Sequence, residues 1–151
     1  MGILHRALFI DRDGTINKDC PYCIDPDDLV LYDDTVRLMK QYKKNGYLII
    51  VVTNQSGIAR GYFSEEQLKL FNDRMTEELF KRGVEIDDIY YCPHHPDDNC
   101  NCRKPKTGMV ERAVKEHDIL LSHSILVGDR DDTDGEMARK LGIHFRQVNY
   151  P

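Results

Sequence analysis

No apolar stretch in these 151 residues approaches the roughly 20 that a membrane-crossing helix needs. The longest, Tyr47 to Val52, is over in six. The N-terminus lacks the long apolar core of a secretion signal, so a cytosolic (cytoplasmic) protein is expected. There is no internal repeat, low-complexity tract or linker, and the chain reads as one domain, 1–151. Cysteine is scarce and odd in number, at five. In a reducing compartment that argues for metal ligation or free thiols over a disulfide framework. Excess positive charge is missing too. The formal net charge of −5 argues against a nucleic-acid partner, while leaving room for a small anionic substrate. Nothing here sets the oligomeric state, and a monomer is the working expectation.

What is present is a soluble composition, 40% hydrophobic and 31% charged, arranged in alternating patterns. "ALFI" (7–10) is a short apolar run that stops at Asp11. "DDTVRLMKQYKKNG" spaces Val36, Met39 and Tyr42 by three and ends in Asn45-Gly46, a helix with its stop. "YLIIVVT" (47–53) is continuous and β-rich, the mark of a strand buried on both faces. Ser64 and Gln67 form a capping box, followed by a stripe of Leu68, Phe71, Met75 and Leu79 that closes at Gly83. That stripe is core, not a cofactor box. "IDDIYYC", "SILVG" and "IHFRQV" add three strands; "GMVERAVKEHD" and "DGEMARKLG" add two helices. The alternation predicts a Rossmann-like α/β fold, a doubly wound parallel sheet with helices on both faces. Ligands of such sheets bind beyond the carboxyl ends of the strands.

Those ends carry a consistent chemistry. After the first strand come Asp11, Asp13, Gly14 and Thr15; after the second, Thr53, Asn54 and Gln55. After the third, beyond a Cys/His segment, come Arg103 and Lys104; after the fourth, Asp129. Carboxylates from two strands at one point need a cation, and an all-oxygen set suits Mg²⁺. A lysine and a hydroxyl aimed at the same point suit a phosphoryl group. An aspartate can attack phosphorus and carry the phosphoryl covalently, while a second protonates the leaving oxygen and then activates water. Neither acidic segment fits an EF-hand, which wants Gly at position six and Glu at twelve. "DRDG" has Gly at position four, and from Asp129 those positions hold Asp134 and Lys140.

"FIDRDGTIN", "VVTNQ", Lys104 in "RKP" and "VGDRDDTD" resemble, in order, the four motifs of the haloacid-dehalogenase superfamily of phosphatases. The resemblance covers nearly the whole chain. It implies Asp11 as nucleophile and Asp13 as general acid and base. It implies Thr53 and Lys104 as phosphoryl contacts, and Asp11, the Asp13 carbonyl and Asp129 as Mg²⁺ ligands. The supporting acid of the fourth motif stays open among Asp131, Asp132 and Asp134.

"CPHHPDDNCNC" (92–102) holds Cys92, His94, Cys100 and Cys102 as C-x-H, five residues, C-x-C, a tetrahedral zinc set with no vacant position. It reads as a structural clasp that steadies the backbone aiming Arg103 and Lys104. His95 is not counted as a ligand. Similar zinc loops occur in the heptose-1,7-bisphosphate 7-phosphatase and histidinol-phosphate phosphatase families. "CPYC" (20–23) looks like a redox motif, but it lacks the strand before and the helix behind. It is assigned instead to a mobile loop over the site. His5, His117, His123 and His144 are isolated and read as surface or packing residues.

About twenty residues separate Asp13 from the next helix, leaving no room for a cap domain. Specificity then falls to loops 15–33, 54–63 and 92–104. Substrate contacts are expected from Asp19, Cys20, Pro21 and Tyr22, from Asn54, Gln55 and Ser56, and from Arg103 and Arg130. "VVTNQSGIARGYFSEEQ" resembles the heptose-bisphosphate enzymes, whereas the short gap between His94 and Cys100 resembles the histidinol-phosphate enzymes. The implied activity is a Mg²⁺-dependent sugar-phosphate phosphatase, with a heptose 1,7-bisphosphate as leading substrate and histidinol phosphate as alternative. Two further readings stay open: a catalytically inactive, zinc-stabilised interaction module, and a phosphotransferase with an acceptor other than water.

Overall fold

The computed structural model describes residues 2–151. Its five strands are β1 (Ala7–Ile10), β2 (Leu48–Asn54), β3 (Asp88–Cys92), β4 (Ile125–Gly128) and β5 (His144–Gln147). They form one parallel sheet in the order β3-β2-β1-β4-β5. Four helices connect them: α1 (Asp33–Lys44), α2 (Glu65–Lys81), α3 (Gly108–His117) and α4 (Glu136–Leu141).

The continuous apolar runs of β1, β2 and β4 follow from burial on both faces. Leu8, Ile10, Ile49, Val51 and Val127 point to one side, where Val36 and Met39 of α1 and Met75 and Leu79 of α2 cover them. Ala7, Phe9, Ile50, Val52 and Leu126 point to the other side, beneath Met109, Val110 and Ala113 of α3 and Met137 and Ala138 of α4. Each large side chain so buried is worth roughly 1.5–3 kcal/mol. The α2 capping box is formed: Gln67 N–H donates to Ser64 Oγ at 3.2 Å and Ser64 N–H to Gln67 Oε1 at 2.9 Å. Its C-terminus turns at Gly83, whose φ of +88° disfavours any side chain.

Register positions the site. Ile10 is level with Val51 on one side and Val127 on the other, which brings Asp11 level with Val52 and Gly128. From β1 the chain builds outward through β2 and β3, then crosses to β4 and β5 on the opposite side. The order therefore reverses between β1 and β4, and a crevice opens there. The connection after β1 holds only a short 3₁₀ turn at Pro26–Asp28, and that after β3 only one at Pro96–Asp98. Among the described residues neither connection contains a folded cap, as the loop lengths predict. No described helix is long and apolar enough to cross a membrane.

Two local features differ from expectation. The helix expected over "DGEMARKLG" is present as α4, but a wide π turn at Asp131–Gly135 leads into it and takes up its first two residues. And not all five cysteines are ligands or free. Cys20 and Cys23 are joined in a disulfide, their Cα atoms 5.2 Å apart across a tight turn, a spacing that suits a bridge. Cys92, Cys100 and Cys102 are the three free thiols.

Candidate active site

Asp11 follows the last residue of β1, with its N–H held by the Val127 carbonyl at 3.0 Å. Three further groups meet its carboxyl. Lys104 Nζ donates to Asp11 Oδ1 at 2.7 Å, to Asp134 Oδ1 at 2.8 Å and to the Val52 carbonyl at 2.9 Å. Asp129 is the third: oxygens of Asp11, Asp129 and Asp134 all lie within 4.8 Å of one another. Burial pushes Asp11 up to about 6 against the pull of Lys104, and Asp129 adds to the rise. Burial alone would depress Lys104, but Asp11 and Asp134 outweigh it and hold the ammonium charged beyond its ordinary range. Three acids around one cation leave a negative balance in a dry place, which a second cation would relieve.

Two glycines permit this crowding. A Cβ on Gly14 (φ +82°) would collide with the Asp129 carboxyl, and one on Gly128 with that of Asp134. Of the three acids in the fourth motif, the π turn brings Asp134 to the other site acids. It turns Asp134 inward to 1% exposure. Asp131 and Asp132 stay outside, paired with Arg139 and Arg130.

Asp13 stands beside this group on the tight turn that starts at Arg12, whose carbonyl accepts from Ile16 N–H at 2.8 Å. Thr15 Oγ1 approaches Asp11 Oδ2 at 3.4 Å. Thr53, buried at the end of β2, accepts from Gln55 Nε2 at 2.9 Å, and the same amide donates to Asp13 Oδ2 at 3.1 Å. Asn54 clamps the backbone of Lys104 from both sides: Lys104 N–H donates to Asn54 Oδ1 at 2.9 Å, and Asn54 Nδ2 to the Lys104 carbonyl at 3.2 Å. A β2 side chain thus sets where the lysine begins.

Above these groups lies a cleft of about 550 Å³. Its lining includes Asp11, Asp13, Thr53, Lys104 and Asp129, together with Asp19, Cys20, Pro21, Tyr22, Asn54, Gln55, Ser56, Arg103 and Arg130. The residues expected to meet the phosphoryl group, Mg²⁺ or the substrate therefore line one cavity, while the four expected zinc ligands lie outside it. Thr133 and Asp134 also line the cavity. Arg103 Nη1 is buried without a hydrogen-bond partner, a donor available to an anion. Tyr22, at φ +51°, leans edge-on against Tyr62, ring centroids 4.7 Å apart, so that loops 15–33 and 54–63 touch at the rim.

The Cys/His segment gathers as a cluster. Cys92 Sγ lies 3.4 Å from His94 Nδ1, 3.6 Å from Cys100 Sγ and 3.0 Å from Cys102 Sγ, and His94 Nδ1 lies 3.2 Å from Cys102 Sγ. The Cys92–Cys100 edge is near the roughly 3.8 Å expected between sulfurs on a tetrahedral zinc, while the Cys92–Cys102 edge is clearly shorter. Burial opposes ionisation of Cys100, but the backbone N–H groups of Arg103 and Cys102 and the neighbouring thiols bring it down to about 6. His95 instead caps the 3₁₀ turn, accepting from Asp97 N–H at 3.1 Å. His117, read as isolated, has a partner in Asp88 at 2.8 Å.

One residue at the heart of the site went unremarked in the sequence. Arg12, between the two aspartates, is wholly buried and bonds Asp13. Its only signal was a long cation enclosed by two site acids.

The chain matches the family model described as polynucleotide kinase 3 phosphatase over residues 8–148. A Thermoplasma volcanium protein named "Probable D-glycero-D-manno-heptose-1,7-bisphosphate 7-phosphatase" is 52% identical over 145 residues, 96% of this chain and 99% of that one. The D-glycero-beta-D-manno-heptose-1,7-bisphosphate 7-phosphatase of Haemophilus influenzae is 44% identical over 84% of this chain and 72% of its own. Among solved structures, the D,D-heptose 1,7-bisphosphate phosphatase of B. bronchiseptica, complexed with magnesium and phosphate, superposes with a TM-score of 0.86. It is 32% identical and is matched over 95% of this chain and 80% of that one. Shared motifs, fold and near full-length identity agree: this chain belongs to the polynucleotide kinase 3 phosphatase family of haloacid-dehalogenase-type phosphatases, among the heptose-bisphosphate phosphatases.

Proposed function

We propose that the protein is a Mg²⁺-dependent phosphatase that removes the 7-phosphate of a D-glycero-D-manno-heptose 1,7-bisphosphate through an aspartyl-phosphate. The observation that carries this reading is the convergence of Asp11, Asp129, Asp134 and Lys104 on the floor of one cleft. The names of the relatives support the substrate.

Asp11 attacks phosphorus, and the bond to the sugar oxygen breaks as the new one forms. Asp13 gives its proton to that departing oxygen. It then takes one from the water that cleaves the acyl phosphate, restoring Asp11 and releasing inorganic phosphate. Lys104 Nζ, already 2.7 Å from the attacking carboxyl, is within reach of a phosphoryl group carried there. Thr53 supplies a hydroxyl from β2. Asp134 is the acid that keeps Lys104 in place.

The donor set fits Mg²⁺. Asp129 Oδ1 is buried with no hydrogen-bond partner, an orphan that a hard cation would satisfy. Asp11, Asp129 and the Asp13 carbonyl would hold the ion, whose charge would offset that of the transferring phosphoryl. Cys92, His94, Cys100 and Cys102 would hold a structural zinc. At the mouth, Arg103 and Arg130 offer guanidinium groups to a second phosphate. The protein would work on a small phosphorylated sugar in the cytoplasm.

The spacing between His94 and Cys100, which resembles histidinol-phosphate enzymes, is absorbed within the cysteine cluster and does not line the cleft. It carries little weight on substrate. The test is a turnover screen of heptose 1,7-bisphosphate and histidinol phosphate, with and without Mg²⁺. A preference for histidinol phosphate, or undiminished turnover by Asp11→Asn, would overturn the proposal.

A further inference from the structure

Arg12 occupies the spacer position between the two aspartates, where a side chain could as easily have pointed to solvent. It is instead wholly buried. Nε donates to Asp13 Oδ1 at 3.0 Å and Nη2 to Asp13 Oδ2 at 3.1 Å, a fork on both oxygens. Nη1 donates to Asn72 Oδ1 of α2 at 3.0 Å, and Nη2 also reaches the Cys23 carbonyl at 3.1 Å. The guanidinium carbon stacks 4.4 Å from the centre of the Phe71 ring. Three segments of the chain, its own turn, the loop at Cys23 and α2, thus grip one side chain.

A purely structural cation would need only to tie the loop to α2. That explains Asn72, Phe71 and Cys23, but not the fork. The carboxyl that it grips keeps about a quarter of its side-chain surface open to the cleft. Two further amides complete the hold: Asn17 Nδ2 on Oδ1 and Gln55 Nε2 on Oδ2, both at 3.1 Å. Each oxygen of Asp13 then has two donors and the plane of the carboxyl is fixed; the guanidinium fork holds that plane while one of the two amides yields its place when Asp13 carries or takes a proton. A proton-transfer group must sit within hydrogen-bond reach of the oxygen that it serves, and misplacement by about 1 Å can cost about a hundredfold.

We infer that Arg12 is the positioning residue for Asp13, holding the proton-transfer carboxyl at the angle that the leaving oxygen requires, with Asn72 and Phe71 as its own frame. This rests on the role given to Asp13 above. Lysine cannot reproduce a planar two-pronged hold, so Arg12→Lys is a sharp perturbation that keeps charge and length.

The experiment compares the first turnover on two substrates. A sugar phosphate leaves as an alkoxide and needs the proton; p-nitrophenyl phosphate leaves as a stable phenolate and does not. With wild type, Arg12→Lys, Arg12→Gln, Asn72→Leu and Asp13→Asn, the first-turnover rate is measured by rapid mixing, beside steady-state kcat and KM. Arg12→Lys and Arg12→Gln should slow the first turnover of the sugar phosphate by about a hundredfold, with KM little changed. They should keep a near-normal burst of phenolate, followed by slow steady-state release, because water activation also needs Asp13. Asn72→Leu should show the same split in weaker form. The retained burst is itself proof of a folded site, which a merely structural role would not preserve.

Equal slowing of both substrates, or an unchanged sugar-phosphate rate, overturns the inference. So does a chain that folds with neither Arg12→Lys nor Arg12→Gln, since Arg12 would then be a determinant of the fold. If Asp13→Asn itself fails to separate the two substrates, the role of Asp13 is wrong. If Asp13→Asn separates them and the Arg12 variants do not, only the positioning role falls.

Discussion

Replacing Lys104 by methionine tests the electrostatics of the site without changing its shape. Lys104 is 4% exposed and its ammonium bonds two acids and a carbonyl. Removing it leaves Asp11, Asp129 and Asp134 within 4.8 Å of one another with no cation among them. Breaking a buried pair by deleting one partner costs about 3–5 kcal/mol, mostly from the charge left behind. For a chain of this size each kcal/mol moves the melting temperature by about 2–4 °C, so the variant should melt roughly 6–20 °C lower at pH 7.5 in EDTA. The deficit should depend on pH. The stabilising charge of Lys104 is fully present below its unfolded value and is lost as pH rises from there through its raised folded value. At pH 7.5 the wild type therefore has all of it. In the variant the lowering pull of Lys104 is gone, so Asp11 takes up its proton at a higher pH than the about 6 of the wild type; as pH falls the repulsion eases and the gap narrows. Added Mg²⁺ should raise the melting temperature of the variant more than that of the wild type, because three uncompensated acids favour a divalent ion. A variant within about 1 kcal/mol of wild type at pH 7.5, or a gap indifferent to pH, would refute the picture of a shared, desolvated charge cluster.

Asp11 itself should make the metal-free protein less stable as pH rises. Its folded value of about 6 lies above the ordinary 3.8, so the folded chain holds the proton longer and stability drains between those limits, by about 3 kcal/mol. Denaturant titrations in EDTA should find Asp11→Asn without that slope and more stable than wild type at pH 7.5. At the clasp, Cys100→Ser should abolish one equivalent of bound zinc by metal analysis and lower kcat by roughly tenfold or more. The sheet should stay intact by circular dichroism, since the loop ends at Arg103 and Lys104.

The strands and their chemistry were legible because burial on both faces writes an unbroken apolar run. Each run stops where polar work begins: Asp11 after Ile10, Thr53 after Val52, Asp129 after Gly128. The remainder was hidden by distance or by local geometry. The burial of Arg12 depends on Asn72, sixty positions away, and nothing in "DRDG" hints at that partner. Three acids in four residues are equivalent on paper; only the π turn singles out Asp134. "CPYC" was conspicuous, yet its bond depends on a turn that residue types alone do not specify.

The floor of this site is built from strand ends in a rigid sheet, while its walls are short connections with almost no secondary structure of their own. Machinery and selectivity are thus separable parts except at Lys104, a reacting group that one of the walls supplies. A lineage could trade one wall for another, lengthening or reshaping a rim to admit a different alcohol, and leave the reacting groups undisturbed.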